Sequence, residues 1–298
     1  MQNVNRTMIA AITLVLVMLG SSQAFAQVSL AGDWGSMFHE DQPERAPGPE
    51  LGDYLGLPIN DAARHYADAW PGARLTLPEH QCRAHVSPYA LRGPAAGVRI
   101  WEEKDETTQE VVAVKLFINT YAQTRTIYMD GRPRPSENAP LTWQGFSTGR
   151  WEGNQLVVTT THIKQGWVRR NGLPMSARAV ATERFIRHGD RFTHTMYLED
   201  PVFLAEPLLK SEDFVRLTNV APNLYQNWLS CQPDDEIARP KGVVPHHLPG
   251  TNPDLVEFAS RHRIPVEATR GGPETMYPEY IEKMKQMNVP PPLTRSSR

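Results

Sequence analysis

Cysteine is scarce in this 298-residue chain, which carries only Cys82 and Cys231. No Cys-x-x-Cys pair occurs, which removes the thiol-rich zinc modules and the dithiol redox motifs. An excess of one charge is also missing. Lys and Arg number 31 against 33 Asp and Glu, a formal charge of −2 that becomes −3 if Arg6 is lost with a leader. A polyanion-binding protein shows a basic excess or stripe, so no nucleic-acid partner is expected. Beyond residue 26 no stretch is apolar enough to span a bilayer, and no integral membrane segment is expected there. What the chain has in quantity is proline and glycine, 26 and 20 residues. That is more than a helical bundle uses and less than a collagen-like or wholly disordered chain, so turns and loops take a large share.

The first 26 residues read as a signal peptide. Arg6 precedes an apolar run over 8–19, and Ala24-Phe25-Ala26 places small residues where a signal peptidase reads before Gln27. The run is short of the roughly 20 residues a membrane anchor needs. The mature protein is therefore expected in the periplasm or outside the cell. In that oxidising setting Cys82 and Cys231 most simply form one disulfide, worth about 4–5 kcal/mol by loop-closure entropy. The alternative, a metal site joining Cys82 to His80 and His85, has one thiol locally.

By composition the rest divides into an extension over 27–97, a β-rich region over 98–232 and a second extension over 233–298. The first extension is Pro/Gly-rich with one helix over 60–70, which Asn60 can cap and Pro71-Gly72 ends. The last is loop-rich, with helices expected over 253–263 and 273–287. In the centre, strands are predicted over 98–103, 110–119, 124–130, 141–147, 155–163, 177–187, 191–199 and near 214–217. Turn signals separate them at Asp130-Gly131, Glu152-Gly153-Asn154 and His188-Gly189-Asp190. About eight strands with mostly short links describe a mainly β fold, an antiparallel up-and-down meander. Closing into a barrel removes the exposed edges, and an eight-stranded barrel can hold one small ligand. A two-sheet sandwich gives the same count.

Alternation assigns faces. Over 191–199, Phe192, His194, Met196 and Leu198 share the apolar side. Over 155–163, Leu156, Val158, Thr160 and His162 lie opposite Val157, Thr159, Thr161 and Ile163, and both faces mix apolar and hydroxyl groups. Only one of Glu183 and Arg184 can face inward, Glu183 with Phe185 or Arg184 with Val180. An inward charge needs a partner, or serves as a base or a ligand anchor. The candidate acid/base residues are thus His194, His162 and Glu183, a hydrogen-bonded core histidine being the ordinary alternative for each His. Trp143 and Trp151, with Trp101 and Trp167, suit either a core or an apolar pocket.

Other motifs carry less. Gly145-Phe146-Ser147-Thr148-Gly149 matches the nucleophile elbow, but a second strand follows where a helix is required. His39-Glu40-Asp41, His80, His85 and His246-His247 match no sharp metal spacing, and neither metal nor cofactor is expected. Glu199 and Asp200 point to opposite faces of a strand and, followed by Pro201, read as a strand-ending turn.

The run Trp143-Gln144-Gly145-Phe146-Ser147, Gly149, Trp151-Glu152-Gly153, with Arg170-Asn171-Gly172, Arg187-His188-Gly189-Asp190, Glu199-Asp200-Pro201 and 246–253, resembles a widespread family of exported bacterial β-rich proteins of unassigned function. The resemblance covers most of the mature chain. It implies a lipocalin-like barrel, and no catalytic residue or cofactor comes with it.

Two readings follow. In the first, an exported barrel binds a small, largely apolar molecule in its interior, with Trp143, Trp151, His162, Arg184 and His194 as contacts. In the second, the barrel is a hydrolase, lyase or isomerase using an inward His/Glu pair.

Overall fold

A computed structural model describes residues 28–37, 49–72, 74, 77, 80, 82–91, 97–220 and 238–293. The strands are β1 (Gly32–Ser36), β2 (Gly97–Lys104), β3 (Val111–Ile118), β4 (Gln123–Tyr128), β5 (Phe146–Glu152), β6 (Gln155–Thr161), β7 (Gly166–Arg169), β8 (Leu173–Met175), β9 (Val180–His188), β10 (Arg191–Glu199) and β11 (Leu208–Arg216). The helices are α1 (Asp61–Asp68), α2 (Ser87–Ala90), α3 (Pro253–His262), α4 (Val266–Thr269) and α5 (Pro278–Met284). Nine strands close into one barrel in the order β1-β2-β3-β4-β5-β6-β9-β10-β11, and β7-β8 form a separate hairpin.

The barrel is mainly β with helical extensions, as expected, but it has nine strands and mixed pairing. A closed ring of alternating strands needs an even number, so nine force a parallel contact. It falls between β4 and β5, where Ile127 pairs with Ser147 and Tyr128 with Thr148. Parallel neighbours need a crossover of about a dozen residues or more, and 129–145 supplies it. The extra strand is β1, from the N-terminal stretch read as extension. It joins the ring by pairing Trp34 with both Arg216 and Val98.

Strand 141–147 is displaced to Phe146–Glu152. Gly145 sets the start: its φ is +67°, and a Cβ there would lie 2.6 Å from the Thr161 carbonyl oxygen. A side chain at that position would push the crossover off β6. The last strand begins at Leu208, earlier than its short apolar end suggested. Helix 273–287 is split into a 3-10 turn over Pro273–Met276 and α5, since Tyr277 is extended ahead of Pro278.

Both barrel ends are plugged. At one, Leu30 enters the barrel core and the Trp34 indole donates to its carbonyl at 2.9 Å. Above it Phe192 meets Trp34 edge-on at 4.8 Å and stacks on Phe214 at 4.5 Å. At the other end, α2 is the stopper. Ala90 and Leu91 join the barrel core, while Val86 and Tyr89 join a second core under the cap. That cap holds α1, the β7-β8 hairpin and Leu255 of α3. Asn60 caps α1 by accepting from the Ala63 amide at 3.1 Å, and Ala63 and Ala67 are fully buried. No helix among the described residues is long and apolar enough to cross a membrane.

Candidate functional site

Six consecutive strands of the ring each turn one polar side chain inward: Arg125 from β4, Ser147 from β5, Thr160 from β6, Glu183 from β9, His194 from β10 and Glu212 from β11. None is more than 4% exposed. Arg125 is clasped on every side. Its Nη1 donates to Glu183 Oε1 at 2.9 Å and its Nη2 to Glu183 Oε2. Nη2 also reaches Thr160 Oγ1 at 2.7 Å, and Nε reaches Ser147 Oγ at 3.1 Å. Thr160 donates to Glu183 Oε2 at 3.2 Å, so in the 2.9 Å Ser147–Thr160 contact the serine is the donor. His194 bridges two carboxylates, Nε2 to Glu183 Oε1 at 3.0 Å and Nδ1 to Glu212 Oε1 at 2.9 Å.

Charge balance follows from this geometry. Burial lowers the His194 pKa, but the hydrogen bonds and charges of Glu183 and Glu212 outweigh it and the net direction is up. Burial raises Glu183, and the Arg125 charge, with His194 behind it, brings it down to about 2. Both ring nitrogens therefore donate, and two cations face two anions in alternation. The belt is buried out of reach of solvent. An acid/base catalyst must reach the proton it moves; here both nitrogens of His194 are held by carboxylates.

The structure brings His194 and Glu183 together, which settles the choice that alternation left between Glu183 and Arg184, and the remaining candidates lie elsewhere. Arg184 is on the outer face, with Glu183 taking the inward position. His162 does not continue the inward face of β6. Its φ is +56°, the strand ends at Thr161, and the ring lies between Thr161 Oγ1 and the Ser136 carbonyl, both at 2.9 Å, fastening the crossover. Trp151 packs on the barrel core, and Trp143 packs on the cap core beneath Lys164. Ser147 is the second residue of β5 and faces the belt, with strand rather than helix following it. Asp200 is the strand-ending turn expected, accepting from the Ser176 amide, the Ser176 hydroxyl and the Val202 amide. Cys82 is described but Cys231 is not, and the leader and His39-Glu40-Asp41 also lie outside the described residues. Among the described residues no three His, Cys, Asp or Glu converge as metal ligands.

A second polar cluster, at the capped end, was not legible in the sequence. The His85 ring is 7% exposed and meets Tyr89 and Tyr121 edge-on at 4.8 and 5.0 Å, with Trp167 at 6.3 Å. Tyr121 takes a left-handed backbone, φ +58°, as does Ala122 at +49°. Such conformations cost energy in non-glycine residues and collect at functional sites. Gln144 ties this cluster to the barrel. Its Nε2 donates to the His85 carbonyl at 3.0 Å and to Gln123 Oε1 at 2.6 Å, and Gln123 stands two residues before Arg125 on the same inward face of β4.

Whereas every belt donor is matched, this cluster holds donors that are not. Among the described residues His85 Nδ1, Ser87 Oγ, Gln144 Oε1 and Trp167 Nε1 are buried without a hydrogen-bond partner. Burial, then the charge of Arg170, holds the His85 ring neutral, its pKa lowered to about 3. These four residues come from three separate segments and no periodicity links them, which is why sequence spacing did not reveal them. No protein family, curated protein or solved structure matches this chain.

Proposed function

We propose that this is an exported barrel that binds a small molecule, and that binding takes place at the capped end rather than deeper in the barrel. One observation carries the reading: among the described residues, four buried polar atoms on residues around His85, beside the rings of Tyr89, Tyr121 and Trp167, have no hydrogen-bond partner, while the barrel interior is occupied by packed rings and the ionic belt. Buried polar groups are ordinarily paired, and a cluster that is not calls for something that completes it. Ligand sites are commonly apolar-walled with a few convergent polar groups, the composition seen here. Export, leader removal after Ala26 and a Cys82–Cys231 disulfide belong to the same proposal. The enzyme reading based on His194 and Glu183 gains nothing from a pair whose hydrogen-bonding capacity is used within the belt.

The test is native mass spectrometry on protein exported by a bacterial host and gently purified, compared with the denatured chain. An organic mass in excess of the cleaved polypeptide is expected. A bare polypeptide mass, with no small molecule recovered from the cell extract on re-exposure, would count against binding. The same denatured spectra read the leader, and thiol labelling with and without reductant reads the disulfide.

A further inference from the structure

On the outside of the barrel, at the rim where β9 begins and β10 ends, lies a groove of about 410 Å³ that neither the belt nor the cap cluster uses. Alternation forms its floor. Ala181 and Leu198 are buried in the cap core, so Val180 and Glu199, which pair across the two strands, turn outward side by side. Arg178 precedes β9 on one side of the groove. The chain over 201–207, which links β10 to β11, forms the other with Pro201, Leu204, Glu206 and Pro207.

One buried carboxylate holds both sides. Asp200, 3% exposed, accepts from the Ser176 amide and hydroxyl at 2.6 and 2.7 Å and from the Val202 amide at 3.0 Å. Ser176 Oγ in turn accepts from the Arg178 amide at 3.1 Å. The linking chain is tied down further, since Asn60 donates to the Val202 carbonyl at 2.9 Å and the Ala205 amide to the Pro58 carbonyl at 2.9 Å, and Leu204 joins the cap core. The groove is thus in place before anything binds, which lowers the ordering cost of binding.

Its lining is apolar at Val180, Pro201, Leu204 and Pro207, and the exposed Tyr197 and Leu209, opposite each other in β10 and β11, continue that surface. The charge comes from Arg178, Glu199 and Glu206. They share the groove without pairing with one another, and among the described residues none of the three side chains forms an ion pair or a hydrogen bond. A neutral apolar ligand would answer none of these charges, and a simple anion or cation would answer one sign and meet the other as repulsion. Because the opposite charges are held apart, the ligand that answers all three carries its own two charges apart on an apolar body.

We propose that this groove binds short apolar peptides with both termini free, the carboxylate at Arg178, the ammonium at Glu199 and Glu206, and the side chains on Val180 and Leu204. The site is separate from the capped end and stands or falls without it.

The probe is leucyl-leucine, titrated into isotope-labelled protein and followed by amide NMR shifts, with N-acetyl-leucyl-leucine and leucyl-leucinamide as the forms that each lack one charge. Saturable shifts are expected at Val180, Glu199 and Ala205, with a Kd of roughly millimolar order, as suits an open groove. Exposed ion pairs contribute little each, so either capped form should bind about two- to fivefold more weakly, a difference that narrows in high salt. Arg178→Gln should weaken leucyl-leucine by the same factor and leave leucyl-leucinamide unchanged, while Glu199→Gln combined with Glu206→Gln should weaken leucyl-leucine and leave the N-acetyl form unchanged. Free leucine, whose two charges share one carbon, should bind more weakly than the dipeptide. Ala205→Trp, at an exposed position that keeps its amide bond to Pro58, should fill the groove and abolish the shifts without moving the urea midpoint. No saturable shift at the groove, equal affinity for all three dipeptide forms, or an Arg178→Gln variant that still prefers the free carboxylate as the parent does overturns the assignment. A parent that sediments as a dimer and an Ala205→Trp variant that sediments as a monomer would also overturn it, making the groove an interface between copies.

Discussion

The ionic belt and the capped cluster are both polar, both enclosed, and joined through Gln123 and Gln144, yet they are built on opposite terms. In the belt each donor finds an acceptor. At the cap, both donor and acceptor atoms are buried without a hydrogen-bond partner among the described residues. A buried ion network is weak evidence for stability, because desolvation offsets most of the attraction, but breaking one member leaves a charge stranded. The belt therefore fixes which strands stand beside which, and the cap is the part left open to a second molecule.

The largest effect should come from breaking the belt. Glu183→Ala strands Arg125 and His194 in the core and is expected to cost about 3–5 kcal/mol in urea denaturation. Replacing Arg125, Glu183, His194 and Glu212 together by apolar residues of similar volume should cost much less than that single change. If the single variant is near neutral, the belt is not paired as described.

Next is the dependence of stability on pH. Glu183 has a folded pKa below its unfolded value, so its contribution is present above about pH 4.5 and is lost as pH falls toward 2. His194 has a folded pKa above its unfolded 6.5, so its contribution is present below about pH 6.5 and is lost as pH rises through the folded value. Urea midpoints should form a plateau between these limits and fall on either side. His194→Gln should flatten the alkaline arm and leave the acid arm, and an unchanged alkaline arm would remove the imidazolium from the account.

The smallest effect belongs to His162. It holds the crossover through the Ser136 carbonyl at the surface, so His162→Ala should cost about 0.5–1.5 kcal/mol, read by the same denaturation. A loss as large as that of Glu183→Ala would put His162 back among the core residues.

These contrasts also explain what the sequence could and could not convey. Period-two alternation placed Phe192, His194, Met196 and Leu198 inward, and the turn signals at Gly153 and Gly189 located two hairpins, because both are local properties. His162 broke the pattern through a single left-handed residue, which alternation cannot foresee. Strand β1 was overlooked because five residues with two glycines look like loop until β11 and β2 pair with them. Either Glu183 or Arg184 was expected to be an inward charge needing a partner, but Arg125 was not singled out, since its partner Glu183 lies far along the chain. The cap cluster draws on residues 85, 87, 144 and 167, and only the folded crossover and the β7-β8 hairpin bring them together.

Two serines test this contrast most directly, since Ser147 in the belt and Ser87 at the cap are both fully buried. Ser147 accepts from Arg125 and donates to Thr160, whereas the Ser87 hydroxyl has no hydrogen-bond partner among the described residues. Urea denaturation of ligand-stripped Ser147→Ala and Ser87→Ala is the measurement. Ser147→Ala is expected to lose about 1–3 kcal/mol by leaving the guanidinium short of an acceptor, and Ser87→Ala to match or exceed the parent. Equal losses at both positions, or a larger loss at Ser87, would contradict the division between a paired belt and an open cap.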